Sequence, residues 1–105
     1  MAFKSLFIAH APDADYEKHK SIIDTGKYKL WTFVVRSQEE AVKVSKDFYI
    51  NEKIDAIMLC PGFSHSDVAE LFQALDGKVS VNVARGDGPS SRIAQKVIQK
   101  EFFDK

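Results

Sequence analysis

What most restricts how this chain can fold is a hydrophobic period that switches back and forth between residues 28 and 103. Tyr28 to Val35, YKLWTFVV, is dense in aromatic and β-branched residues, the composition of a buried strand. At Ser37 the period changes. SQEE is a capping box in which the Ser37 hydroxyl accepts the Glu40 amide, and Ala41, Val44, Ser45 and Phe48 then recur at helical spacing to about Asn51. Ile54 to Cys60, IDAIMLC, returns to a strand pattern, and PGFSHSD leads into a second helix with the stripe Val68, Leu71, Phe72 and Leu75, ended by Asp76 and a left-handed Gly77. Lys78 to Ala84 alternates strictly, with Val79, Val81 and Val83 on one face. Pro89 suits the first position of a third helix whose buried stripe is Ile93, Ala94, Val97 and Ile98.

Strand and helix repeated in this order call for a parallel sheet with crossover helices. Upstream, Phe3 to Ala9 is a further buried strand, ending at the loop HAPDAD. In YEKHKSIIDTGK, Asp15 to Lys20 suits one helical turn, while Ser21 to Asp24 suits a strand paired with Tyr28 onward through Thr25, Gly26 and Lys27. The expected fold is α/β: one domain over residues 1–105, a mostly parallel sheet of four or five strands, three main helices in a Rossmann-like or flavodoxin-like layering, and an antiparallel hairpin near residues 20–35. Ile54 to Cys60 is apolar at both parities and asks for cover on both faces of the sheet. That implies a reversal of strand order, which opens a crevice at the carboxyl ends of the strands. The loops at His10 to Asp15, at Arg36, at Pro61 to Ser66 and at Arg85 to Ser91 then share one rim.

Composition removes several function classes. Fifteen basic and fifteen acidic residues cancel with no long block of either sign, so nucleic acid and membrane surfaces are not expected partners. Cys60 is the single cysteine, which rules out an internal disulfide and fits a reducing compartment, the cytoplasm by default. Lys4 followed by LFIAHA loosely mimics a signal peptide, but the run Leu6 to Ala9 is shorter than the roughly 7 to 15 apolar residues an h-region needs. No run approaches the ~20 residues of a membrane span. Neither GxGxxG nor GxxxxGK[ST] is present, so standard dinucleotide and P-loop sites are disfavoured and no cofactor is indicated.

The densest polar chemistry lies in VNVARGDGPSSRIAQ, where the last strand hands over to the last helix. With Pro89 at the helix start, the amides and hydroxyls of Ser90 and Ser91 outline an anion site, and Gly86 and Gly88 permit close backbone approach. Arg92 is the informative misfit, a cation at the positive end of the helix dipole that a bound phosphate or carboxylate would reconcile. Against this stands a purely structural turn in which Asp87 caps the helix and pairs with Arg85 or Arg92. A second cluster is Cys60, Ser64 and His65. Cys60 is a candidate nucleophile with His65 or His10 as base, or else a small apolar core residue, and Ser64 reads as a helix cap with Asp67 as its partner. His10 is placed as a rim residue that donates to a ligand. His10, Asp13, Asp15 and His19 are metal-competent types without a metal-ligand spacing, so no metal is expected. Trp31, Phe33, Phe48, Phe63 and Phe72 read as core or rim packing, and Phe102 and Phe103 as a subunit contact in a homodimer.

The stretches FIAHAPDAD, KYKLWTFVV, CPGFSHSDVAE and VSVNVARGDGPSSRIA resemble those of a family of small bacterial proteins classed as a domain of unknown function, and the likeness covers nearly the whole chain. That resemblance implies no reaction, substrate or site residue. Two functional readings follow from the residues. In one, a small anionic ligand is held by Arg85, Gly86, Asp87, Gly88, Ser90, Ser91 and Arg92, with Ser64, His65 and His10 around its remainder. In the other, the chain is a non-catalytic assembly module.

Overall fold

The computed structural model describes residues 1–103. The elements run β1 (Phe3–His10), β2 (Lys20–Asp24), β3 (Tyr28–Val35), α1 (Gln38–Glu52), β4 (Ala56–Leu59), α2 (His65–Ala74), β5 (Ser80–Val83) and α3 (Gly88–Ile98), the last continued by a π-helical turn, Gln99–Phe103. The five strands form one sheet in the order β2-β3-β1-β4-β5, all parallel except β2. The mixed, mostly parallel α/β fold with three helices is therefore the one the sequence periods describe.

The order follows from what comes after β1. Instead of a crossover helix the chain makes a single turn, in which the Lys18 and His19 amides donate to the Asp15 carbonyl at 2.9 and 2.8 Å. It continues as β2 on the outer edge, then doubles back and inserts β3 between β2 and β1. The reversal is tight because Gly26 takes φ +100° and its amide donates to the Asp24 carboxylate at 2.8 Å, while the Thr25 amide donates to the Tyr28 carbonyl. From β3, α1 carries the chain past β1 to β4, and α2 carries it on to β5. Both crossovers step the same way across the sheet, so right-handed connections place α1 and α2 side by side on one face.

Capping fixes where those helices begin. The Ser37 hydroxyl accepts the Glu40 amide at 3.2 Å, but the Glu40 carboxylate accepts the Arg36 amide at 2.8 Å rather than that of Ser37. At α2 the box is complete: Ser64 and Asp67 bond reciprocally at 2.9 and 3.1 Å. α1 ends on Lys53, a non-glycine residue in the left-handed region, and α2 on Asp76 and Gly77, also left-handed. Between sheet and helices Leu6, Ile8, Ile57, Leu59 and Leu71 are fully buried, each such side chain contributing about 1.5–3 kcal/mol.

Three expectations are corrected. Among the described residues helices cover one face of the sheet only: with no helix after β1, none packs closely on the side that carries Phe3, Phe7, Tyr28 and Met58, and Met58 is 38% exposed. Second, Ile93, Ala94, Val97 and Ile98 are not buried. Among the described residues α3 does not dock on the sheet, leaving Ile93 74% and Val97 57% exposed. Phe72, expected in the α2 stripe, also faces outward, against Gly77. The radius of gyration, 14.3 Å, exceeds the ~13 Å of a compact chain of this length, in keeping with a helix that stands off the sheet.

Candidate functional site

Because β1, β3, β4 and β5 are parallel, their carboxyl ends, at His10, Val35, Leu59 and Val83, form one rim. Three backbone bonds extend the ladders into it: Ala11 to the Val35 carbonyl at 3.0 Å, Cys60 to Ile8 at 3.0 Å and Ala84 to Leu59 at 2.7 Å. The chain leaves β1 toward β3 and leaves β4 toward β5, so the switch in direction lies between β1 and β4, where an open α/β sheet forms its crevice.

At that switch the His10 ring stacks on Phe63, centroids 4.1 Å apart and planes 17° apart. Gly62 lies beside them, and a Cβ there would sit 3.6 Å from Cys60 Sγ and 3.8 Å from His10 Nδ1. Burial holds the His10 pKa below its usual value, with the Asp67 carboxylate acting weakly against it, so the imidazole is neutral at physiological pH. Its Nε2 is buried with no partner among the described residues.

On the β3 side of His10 a cleft of about 300 Å³ opens between Ala11–Pro12 and Arg36–Gln38, with Phe102 and Phe103 along it. The Gln38 amide nitrogen donates to the Asp67 carbonyl at 3.1 Å and to Glu70 Oε1 at 2.8 Å, which fixes the orientation of the amide. Its Oε1, turned the other way, is buried and also unpartnered. The Arg36 guanidinium stands at the mouth, 60% exposed and 3.7 Å from Glu40.

The strand-to-helix turn is arranged differently. Asp87 sits at the helix N-cap but makes no capping bond with its side chain, because its carboxylate takes two hydrogen bonds from Arg85, at 2.9 and 2.6 Å. The Ser90 and Ser91 hydroxyls both donate to the Asp87 carbonyl, at 3.3 and 2.8 Å. Gly86, Gly88 and Arg92 are exposed, Arg92 has no ion pair among the described residues, and none of these residues lines a described cavity. Ser64 is engaged in the α2 cap and His65 is exposed at the first turn of that helix. Cys60 is half-buried against the core with a free thiol. The rim thus brings together His10, Cys60 and the loop before Ser64, while Arg85 to Arg92 forms a separate exposed turn. Among the described residues no three metal-ligating side chains cluster.

The sequence reading missed Gln38 as a site residue and named Arg36 only as a loop; the signal available was their place at the end of a strand, inside a capping segment. It also missed a larger hollow of about 620 Å³ on the helix face, beside α1 and β2. Trp31 and Phe33 floor it, with Phe48 edge-on to both at 5.3 and 5.1 Å. Its Lys43 and Asp47 are already paired at 3.1 Å, and none of its buried polar atoms is unpartnered.

The chain belongs to the family of unknown function DUF6506, whose model matches residues 3–99. No curated protein and no solved structure matches it. Among the described residues no helix is long and apolar enough to cross a membrane.

Proposed function

We propose that the chain is a small-molecule-binding domain that holds an anionic ligand bearing a hydroxyl or amide group in the rim cleft beside His10, Arg36 and Gln38. The observation that carries this reading is the pair of buried, unpartnered atoms, His10 Nε2 and Gln38 Oε1, on residues that line the same cleft. Each costs about 1–3 kcal/mol for as long as it lacks a partner. Local costs of this kind are expected where a ligand completes the hydrogen bonding. Gln38 Oε1 only accepts, so its complement is a ligand O–H or N–H. Neutral His10 adds one donor or acceptor at Nε2, and Arg36 offers a forked cation for a carboxylate or phosphate. A cleft of about 300 Å³ is at the small end for ligand sites, which fits a hydroxy acid, an amide-bearing acid or a sugar phosphate better than a dinucleotide.

In this reading the Arg85–Arg92 turn is secondary. Asp87 neutralises Arg85, and the Ser90 and Ser91 amides already donate to the Asp87 carbonyl at 3.1 and 2.8 Å, so an anion there would have to displace these bonds or settle on Arg92 alone. With its single free cysteine, Cys60, the domain works in a reducing compartment, the cytoplasm.

A thermal-shift screen with inorganic phosphate, hydroxy acids, amide-bearing acids, sugar phosphates and mononucleotides tests this on the wild type, Gln38→Met and Arg92→Ala. A ligand at 100 times its Kd stabilises by about 2.7 kcal/mol, or roughly 10 °C in Tm for a domain of this size. The expected result is a shift that Gln38→Met abolishes and Arg92→Ala retains. A shift lost in Arg92→Ala and kept in Gln38→Met moves the site to the turn, and no shift with any compound class rejects the reading.

A further inference from the structure

The uncovered face of the sheet has an unusual composition for a surface that meets water. Strand charges in this chain are Lys4, Lys20, Asp24 and Lys29, and by the register every one falls on the parity shared with Leu6, Trp31 and Ile57, the α1/α2 side. The opposite face carries no charged strand residue, although 29% of the chain is charged. Phe7, Leu30, Val34 and Met58 occupy its middle, and Ser80 and Asn82 its β5 border. A charge-free, largely apolar face bordered by polar residues on its β5 side fits a protein interface, and parallel sheets are found covered on both faces.

The chain's own α3 is not free to supply that cover. It begins next to the end of β5, and its π-helical continuation places Phe102 and Phe103 beside His10, Pro12 and Arg36 at the same rim. Both ends lie at the carboxyl edge, so α3 spans the rim instead of lying along the face, and its stripe of Ile93, Val97 and Ile98 stays exposed as well.

We infer that a second copy of this chain covers the bare face, sheet against sheet about a two-fold axis, with each α3 stripe adding to the contact. Area supports this occupant. Five strands about 4.8 Å apart and roughly 20 Å long present about 480 Å², and an eleven-residue helix stripe about 16 Å long adds on the order of 160 Å². The sheet alone falls short of the roughly 600–1,000 Å² per partner that stable complexes bury, and the two surfaces together reach that range. Zero net charge removes the repulsion that two copies of a strongly charged chain would meet. An isologous contact uses the same patch twice, so no other partner is needed to explain why both surfaces are apolar.

Sedimentation equilibrium of the full chain from 1 to 200 μM tests the inference, alongside Met58→Lys on β4, Thr32→Lys on the same face of β3, across β1 from it, and Lys46→Glu on the exposed outer side of α1 as control. The expected result is a dimer whose Kd rises at least about 100-fold with a lysine at either face position, as for an unpaired charge forced into an interface, and stays unchanged in the control. Far-UV circular dichroism confirms that the compared variants are folded, and two face positions allow the test to proceed if one of them is not. A wild type that remains monomeric at 200 μM overturns the inference, as does a dimer indifferent to the face lysines.

Discussion

Replacing His10 by Phe should make the folded protein more stable, contrary to the usual effect of altering a half-buried rim residue. Phenylalanine keeps a ring against Phe63, where His10 now stacks at 4.1 Å, and removes a buried nitrogen that has no partner. Relief of that nitrogen is worth about 1–3 kcal/mol, and the larger ring costs about 1 kcal/mol in crowding. The net expectation at pH 8 is a gain of about 0–2 kcal/mol, up to roughly 8 °C in Tm. The sign of the pH effect follows from burial. The folded pKa lies below the unfolded value of 6.5, so the unfolded chain binds the proton more readily. Wild-type stability is then full above pH 6.5 and falls as the pH drops below that value toward the folded pKa. His10→Phe lacks this loss, so its advantage should widen between pH 7 and pH 5. Chemical denaturation at pH 8, 6.5 and 5, at matched protein concentration, measures it. A variant less stable than wild type by more than about 1 kcal/mol at pH 8, or an advantage that does not grow on acidification, would refute the claim that His10 is a neutral, unsatisfied group.

Other outcomes follow from the same structure. Ser64→Ala, which opens the reciprocal bonds with Asp67, should cost about 0.5–2 kcal/mol in urea denaturation; no loss would mean that the cap is dispensable. Gly77→Ala should destabilise by about 1–2 kcal/mol, since the backbone there is left-handed and the new Cβ would lie 3.4 Å from the Phe72 ring. Gly62→Ala should be tolerated within about 1 kcal/mol, because its contacts with Cys60 and His10 are ordinary ones; equal costs at the two glycines would contradict this backbone account. Leu71→Ala should cost about 2–5 kcal/mol, because the side chain is fully enclosed between α2 and the sheet.

Most of the fold was legible because its information is local. The changes of period at Ser37, Ile54, Ser64 and Lys78 mark real element boundaries, and the capping residues Ser37 and Ser64 bond as their spacing requires. The hairpin was legible too, because Ser21 to Asp24 and Tyr28 onward flank a glycine that can take positive φ. What the sequence concealed depends on where elements dock. The stripe Ile93, Val97 and Ile98 is as regular as that of α2, but periodicity shows only that one face is apolar, not what lies against it. The bare sheet face escaped for the same reason: the missing layer results from a loop after β1 where a helix would normally return the chain.

The candidate site was half legible. Parallel order alone put His10 and the loop after Cys60 on one rim, and they do meet there. The polar turn Arg85 to Arg92 drew attention because its chemistry is concentrated in sequence, yet Asp87 absorbs Arg85 and both serines bond back to the same carbonyl. Gln38 gave no such signal. Its importance rests on an amide held from α2 by Asp67 and Glu70, 29 and 32 residues away, which leaves the carbonyl oxygen without a partner among the described residues.

The most direct test of the rim cleft is a titration of the isotope-labelled protein with the strongest hit of the ligand screen, followed by backbone and side-chain amide NMR. Binding in the cleft predicts that the largest shifts fall on the Gln38 side-chain amide, Arg36 and Ala11, with little change at Gly86 to Arg92 or around Trp31. Shifts concentrated in either of those places, with the Gln38 amide unmoved, would contradict it.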